Sequence, residues 1–140
     1  MFPNSPCLIV TQPNENLLTM EDGNDGTPLI IVPATGNPGE QEWVIEHDES
    51  ENTVVIRNLK HDKYIGVKEP YSNASVVATS TPYKFNLEDA GDQNTYNVYT
   101  KGESENMYLS MSMLRMYPPQ VALLERRLAG DKPWTFRFLD

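Results

Sequence analysis

Three short phrases, each led by an aromatic residue and continued by alternating apolar residues, recur along this chain of 140 residues. They read QEWVIE, TPYKFNL and KPWTFRF, and their leading aromatic residues are Trp43, Tyr83 and Trp134. These aromatic residues lie 40 and 51 residues apart, which is the spacing of a repeated unit of several strands. The sequence therefore predicts a threefold repeat, with units covering about residues 5–50, 51–92 and 93–140.

Each predicted unit carries four short β-rich runs that are separated by polar turns. The first two runs form a hairpin, a third run follows another turn, and the aromatic-led phrase closes the unit. The first three runs cover residues 7–12, 17–20 and 28–33 in unit 1, 53–57, 64–67 and 75–79 in unit 2, and 96–100, 107–111 and 120–125 in unit 3. No window of helical length carries a sustained apolar period of 3.6 residues. The pattern predicts an all-β chain of twelve strands, closed on itself so that few strand edges are exposed.

Composition indicates one domain in a reducing compartment. A chain of this length with 39% hydrophobic residues can bury a core without covalent staples. Cys7 is the only cysteine, which excludes an intramolecular disulfide and is interpreted as a buried residue of the first strand. The amino terminus does not resemble a signal peptide, and no apolar run reaches the length of a membrane span. We expect a cytoplasmic monomer with no membrane partner.

The charge of the chain argues against several classes of ligand. A net charge of −9 and a pI near 4.6 disfavour nucleic acid, which binds to clusters of lysine and arginine. The acidic residues are spread along the chain, and the group around Asp22 and Asp25 lacks the spacing of a calcium loop. We expect neither a metal site nor a cofactor.

Catalysis is also not expected. His47 and His61 are the only histidines, and no serine or cysteine stands in a pattern typical of an activated nucleophile. Paired carboxylates such as Glu46 and Asp48 are common on acidic surfaces and define no acid–base pair by themselves. The sequence predicts a binding protein rather than an enzyme.

Gln41, Glu42 and Trp43 resemble the Q-x-W phrase of β-trefoil proteins, which also have twelve strands. This resemblance implies that six strands form a short barrel and six form hairpins that cap it. The second and third phrases depart from the family, with Thr81 and Lys132 in place of glutamine. The core implied by the resemblance consists of Ile9, Trp43, Val55, Phe85, Val98 and Phe136.

Ricin-type lectins share the Q-x-W phrase, and the resemblance implies what a sugar site would need. An aromatic ring late in the third strand stacks on the sugar, while an aspartate and an asparagine orient its hydroxyl groups. The polar candidates in unit 1 are Asp22, Asp25 and Asn37, but Val32 stands about where the ring is expected. Units 2 and 3 offer only Val77 with Ala78 and Leu123 with Leu124 at that place. A carbohydrate-binding lectin is therefore the alternative function.

The leading function comes from a second resemblance. The chain is similar to mushroom β-trefoil protease inhibitors of the cospin and cnispin type, through the phrase at Gln41, the run from Asn58 to Val67, its low cysteine content and its length. The loop before the last strand carries Arg126, Arg127 and Leu128, and an extended loop of this kind could present an arginine to a trypsin-like serine protease. The resemblance implies that a basic residue in this loop is used. The two arginines are alternatively surface counter-charges in an acidic domain.

Two further questions stay open on the sequence. More distant similarity to mycocypins, which inhibit cysteine and legumain-type proteases, makes Asn58 a candidate reactive residue, and Lys60 and Lys63 are other candidates for facing trypsin. Met111, Met113 and Met116 either pack in the core or form an exposed surface, and we expect at least one in the core.

A growth-factor-like function ranks third because the chain has no basic patch.

Overall fold

A computed structural model describes residues 2–11 and 14–139 of the chain. The described residues form thirteen strands and one short helix. In chain order these are β1 Cys7–Thr11, β2 Leu17–Thr19, β3 Ile30–Val32, β4 Trp43–Asp48, β5 Thr53–Asn58, β6 Tyr64–Gly66, β7 Ala74–Ser75, β8 Val77–Thr79, β9 Phe85–Asp89, β10 Thr95–Lys101, β11 Asn106–Met111, β12 Val121–Glu125, α1 Arg126–Ala129 and β13 Trp134–Phe138.

Six of the strands close a barrel. The first strand of each unit pairs with the last strand of the same unit, as β1 does with β4, β5 with β9 and β10 with β13. The last strand then pairs with the first strand of the next unit, as β4 does with β5, β9 with β10 and β13 with β1. All six pairings are antiparallel, and the ring returns to its starting strand. The predicted all-β architecture and its closure are confirmed.

The remaining strands form the cap. Each unit contributes a hairpin, namely β2 with β3, β6 with β8, and β11 with β12. The three hairpins meet through the bridges Pro28 to Val77 and Ile30 to Gln120, and through the pairing of β7 with β12. The thirteenth strand arises because the predicted run 75–79 changes partners at Val76, whose N–H donates to the carbonyl of Val121, 3.0 Å away.

The core joins the barrel to the cap and contains most of the residues expected there. The prediction is wrong at Val55, which is half-buried, whereas Val54 and Ile56 on either side of it are buried. Consecutive apolar residues in β5 leave the inward face ambiguous in the sequence. Burial also raises the pKa of the Cys7 thiol to about 12, as expected for a residue of the first strand. The other five predicted core residues, Ile9, Trp43, Phe85, Val98 and Phe136, are at most 1% exposed.

The threefold repeat is visible in matching indole contacts. The Nε1–H of Trp43 donates to the carbonyl of Leu18 at 3.0 Å, and the Nε1–H of Trp134 donates to the carbonyl of Leu109 at 2.9 Å. Both tryptophans begin the last strand of their unit and are buried, and Phe85 does the same in unit 2. Phe85, rather than Tyr83, is therefore their structural equivalent, which corrects the spacings to 42 and 49 residues.

The three methionines between β11 and β12 differ from the expectation. Met111, Met113 and Met116 are 50%, 58% and 44% exposed, so none of them lies in the core. Strand β11 ends at Met111, and the chain leaves the sheet over residues 112–119. Among the described residues, the one helix is far too short to cross a membrane.

Candidate functional site

The arginine-bearing segment is helical rather than extended. Arg126 and Arg127 begin the single turn of α1, and Gly130 ends it with φ 68° and an N–H that donates to the carbonyl of Arg126. Arginine, leucine and alanine favour helix, and glycine tolerates the positive φ that ends it. A protease binds a substrate-like loop in an extended conformation. The expected extended loop is therefore wrong, and α1 would have to unwind to provide it.

Both arginines also have acidic partners. The Arg126 guanidinium lies 4.6 Å from the centre of the Tyr108 ring and forms an ion pair with Glu88. Arg127 lies 3.3 Å from the Glu125 carboxylate, although most of its side chain is exposed. These contacts agree with the interpretation of the arginines as counter-charges. Whether Arg127 meets a protease stays a prediction.

Asn58 cannot be presented to a protease as it stands, because it is fully buried. Its Nδ2 donates to the carbonyl of Glu40 at 3.1 Å, and its Oδ1 accepts from the backbone N–H groups of Lys60 and His61 at 3.2 and 3.0 Å. The first bond connects the turn after β5 to the chain before β4, and the other two lie within the turn itself. The expected reactive asparagine is instead a structural residue of this turn.

The two lysine candidates flank that turn. The Lys63 ammonium donates to the Asp25 carboxylate and to the carbonyl of Gly23, both at 2.9 Å. The hydrogen bonds from Lys63 and Ser80 lower the pKa of the Asp25 carboxyl. Lys60 is more exposed and lies 3.9 Å from the Glu40 carboxylate. Lys63 and Asp25 are therefore engaged with each other, whereas Lys60 is the more accessible cation.

The three polar residues expected to hold a sugar in unit 1 do not share partners. The Asp22 carboxylate accepts from the backbone N–H of Asn24 and the hydroxyl of Thr27, which lower its pKa. Asn37 lies in the next loop and donates to Glu40 at 3.1 Å. The contacts of these three residues therefore hold two separate loops, and whether any of them binds a sugar stays a prediction.

A recess between units 1 and 3 combines polar side chains with apolar walls. It has a volume of about 220 Å³ and lies between the turn joining β1 to β2, the end of β11, and α1 with the residues that follow it. We call it the unit-3 recess. It is lined by Thr11, Asn14, Asn16, Ile31, Ser110, Met111, Leu124, Leu128, Ala129, Lys132 and Trp134.

Three polar side chains of the unit-3 recess can meet a ligand, whereas the hydroxyls of Thr11 and Ser110 already donate to the carbonyls of Asn16 and Tyr108. Within residues 2–11 and 14–139, the side chains of Asn14, Asn16 and Lys132 form no hydrogen bond or ion pair. The two amides can donate to and accept from hydroxyl groups, and the ammonium can donate to them. The Trp134 ring is only 2% exposed and its Nε1–H is already bonded, so it forms the floor and is not a stacking surface.

Of the candidate reactive-loop and sugar-site residues predicted from the sequence, Leu128 lies at the unit-3 recess, where it is 38% exposed. Met111, Leu124, Lys132 and Trp134, which the sequence marked for other reasons, line it as well. The polar members Asn14 and Asn16 read as turn residues in the sequence. They reach Lys132 because β1 pairs with β13 at barrel closure. The predicted closure of the barrel was the one signal that could have placed Asn14 and Asn16 near Lys132, because closure brings the two ends of the chain together.

Comparison with known proteins supports the fold. No family model matches the chain, and no curated protein matches its sequence. Among solved structures, the designed three-fold symmetric protein ThreeFoil aligns with a TM-score of 0.79 and 18% identity, covering 96% of this chain and 99% of ThreeFoil. The Macrolepiota procera ricin B-like lectin, solved with lactose, aligns with a TM-score of 0.78 and 16% identity over 99% of both chains. The Rhizoctonia solani agglutinin aligns with a TM-score of 0.80 and 14% identity over 99% of this chain and 98% of the agglutinin.

The closed six-strand barrel and its three capping hairpins define the class of architecture, and these alignments agree with it over almost the whole chain. The protein has the β-trefoil fold. At identities below 20%, the alignments establish the fold alone.

Proposed function

We propose that this protein binds carbohydrate through the unit-3 recess. The observation that carries the proposal is a group of polar side chains, Asn14, Asn16 and Lys132, around a cavity of about 220 Å³, none of which has a hydrogen bond or ion pair within residues 2–11 and 14–139. A sugar ring carries hydroxyl groups at its edge and C–H groups on its faces. A site for it needs a few placed polar groups beside an apolar wall, which this recess provides.

The apolar walls differ from those of an aromatic sugar site. Met111 and Leu128 flank the opening, and Leu124 is buried behind them. Aliphatic side chains can cover a sugar face, but they lack the preferred stacking geometry of an aromatic ring. We therefore expect weak binding of a single sugar, with a dissociation constant of about 1 mM, and stronger apparent binding to multivalent glycans.

The comparisons support the choice of ligand class without deciding it. Two of the similar structures are described as a lectin and an agglutinin, and each aligns over nearly its full length. The first of them holds lactose, which makes lactose a reasonable first probe. Protease inhibition gains less support, because Arg126 and Arg127 are helical and ion-paired.

The proposal is tested by a glycan array followed by calorimetric titration with the strongest glycan, or with lactose if none stands out. Asn16→Ala and Lys132→Ala should each weaken binding by about three- to tenfold, the range expected for one lost hydrogen bond. Asn37→Ala and Lys60→Ala remove the same chemical groups from exposed positions elsewhere and should leave binding unchanged.

Two results would contradict the proposal. One is an array with no bound glycan at high protein concentration. The other is binding that the control substitutions weaken as much as those in the recess. A parallel titration against trypsin, with Arg127→Ala as the variant, tests the inhibitor hypothesis separately.

A further inference from the structure

Exposed apolar side chains are concentrated in one segment of the chain, residues 111–117, which we call the apolar loop. Of the eight large hydrophobic residues that are exposed within the described ranges, five lie in this loop. Tyr117 is 88% exposed and Leu114 is 60% exposed. Contiguous apolar surface of this kind is uncommon on monomeric soluble proteins and marks a site of interaction. The five residues are Met111, Met113, Leu114, Met116 and Tyr117.

The apolar loop is held at its base. The Ser112 N–H donates to the carbonyl of Gln120 at 2.7 Å, and the Met113 N–H donates to the Asn73 side chain at 3.1 Å. Beyond these bonds, neighbouring residues expose their side chains although the segment is not helical. Successive side chains of a non-helical segment point in different directions. A flat, rigid partner could cover only some of them, whereas a fluid medium could surround them all.

The sequence on either side of the apolar loop carries almost no charge. Residues 106–124 contain no aspartate or glutamate, although the chain has 20 acidic residues and a net charge of −9. Arg115, at the centre of the loop, is the single charged residue of this stretch. The stretch therefore avoids the negative charge that would oppose approach to lipid phosphate groups, and Arg115 can pair with such a group.

We propose that the apolar loop inserts into the interfacial region of a zwitterionic lipid bilayer. Methionine and leucine would enter the boundary of the acyl chains, while Tyr117 and Arg115 would remain at the level of the head groups. An anionic bilayer is a poorer target, because it would repel the acidic remainder of the protein. A second copy is also a poorer occupant, since pairing would bring two domains of charge −9 together.

The apolar loop adjoins the unit-3 recess through Met111, which lines the recess and is half exposed. Insertion of the loop would place the recess at the membrane surface, next to sugars displayed there. This last point rests on the proposed carbohydrate function, whereas insertion itself does not. The proposal also revises the expectation of no membrane partner, which considered membrane-spanning segments and not loops that lie on the surface.

The test is co-flotation of the purified protein with vesicles of pure phosphatidylcholine, which contain no sugar. The wild-type protein should float with the vesicles, and Leu114→Ser and Tyr117→Ser should each reduce the bound fraction by about fivefold or more. Leu59→Ser and Tyr71→Ser make the same changes at exposed positions outside the loop and should leave flotation unchanged. Adding anionic lipid should reduce binding.

A wild-type protein that does not float would overturn the proposal, as would equal losses in the loop and control variants. Sedimentation that shows a dimer dissociated by Leu114→Ser would identify a second copy as the occupant and would also overturn it. Because the vesicles carry no glycan, failure of carbohydrate binding on the array would leave this result unaffected.

Discussion

Replacing Asn58 should destabilise the protein although this residue stands in a turn. Its side chain forms three hydrogen bonds, to the Glu40 carbonyl and from the Lys60 and His61 N–H groups, and is fully buried. Each bond contributes about 1 kcal/mol, and a buried group left without a partner costs about 1–3 kcal/mol. Asn58→Ala should therefore lower the free energy of unfolding by about 3–4 kcal/mol.

The measurement is urea unfolding at 25 °C, supported by calorimetry. For a domain of this size, the predicted loss corresponds to a decrease in Tm of roughly 10 °C. Asn37→Ala removes one exposed hydrogen bond and should cost less than about 1 kcal/mol. If the free energy of unfolding of Asn58→Ala lies within about 1 kcal/mol of wild type, the structural role is refuted. The hypothesis that Asn58 binds a legumain-type protease would then be the better account of this residue.

Three other predictions follow from single contacts. Gly39→Ala should be less stable than Gly36→Ala by about 1–2 kcal/mol in urea unfolding. Both glycines have φ near +80°, but only at Gly39 would an added Cβ lie 3.0 Å from the Lys60 backbone nitrogen. Equal losses of stability in the two variants would contradict this. Burial raises the pKa of the Cys7 thiol to about 12, so Cys7 should not react with a thiol reagent at pH 8 until the protein unfolds. Fast reaction in the native state would refute its burial. The pKa of the Asp25 carboxyl is lowered in the folded protein, so its contribution to stability is present above the ordinary pKa near 3.8 and is lost as the pH falls through the folded value. Asp25→Asn should therefore flatten the acid limb of a curve of stability against pH. An unchanged limb would count against the contact with Lys63.

The fold was predictable because an aromatic residue recurs near the start of the last strand of each unit. Trp43 and Trp134 occupy equivalent buried positions and were correctly recognised. Tyr83 was aligned with them wrongly because Phe85 follows two residues later, and an alternating pattern places both side chains on the same face of a strand. Burial in three dimensions decides in favour of Phe85, which a local pattern cannot do.

The helix α1 was missed for a different reason. Four residues are too few to establish a helical period, so Arg126 and Arg127 read as part of an extended loop. Gly130 was the local sign of a helix end. The contacts of Arg126 with Tyr108 and Glu88 come from other strands, so the local sequence could not show them.

The candidate site was the least predictable part. Its members come from both ends of the chain and meet only when β13 closes the barrel against β1. The polar residues predicted in unit 1, Asp22, Asp25 and Asn37, have sugar-binding chemistry but use it to stabilise loops. Residue type indicated the chemistry, whereas position in the closed barrel decides which groups remain free.

The most direct test of the central claim is a chemical-shift map of the protein titrated with its strongest glycan. We predict that the largest shifts cluster at Asn14, Asn16, Ser110, Met111 and the segment 128–132, and that Asn16→Ala reduces them. Shifts centred on the loops that hold Asp22, Asp25 and Asn37, or no shifts with any glycan, would contradict carbohydrate binding at the unit-3 recess.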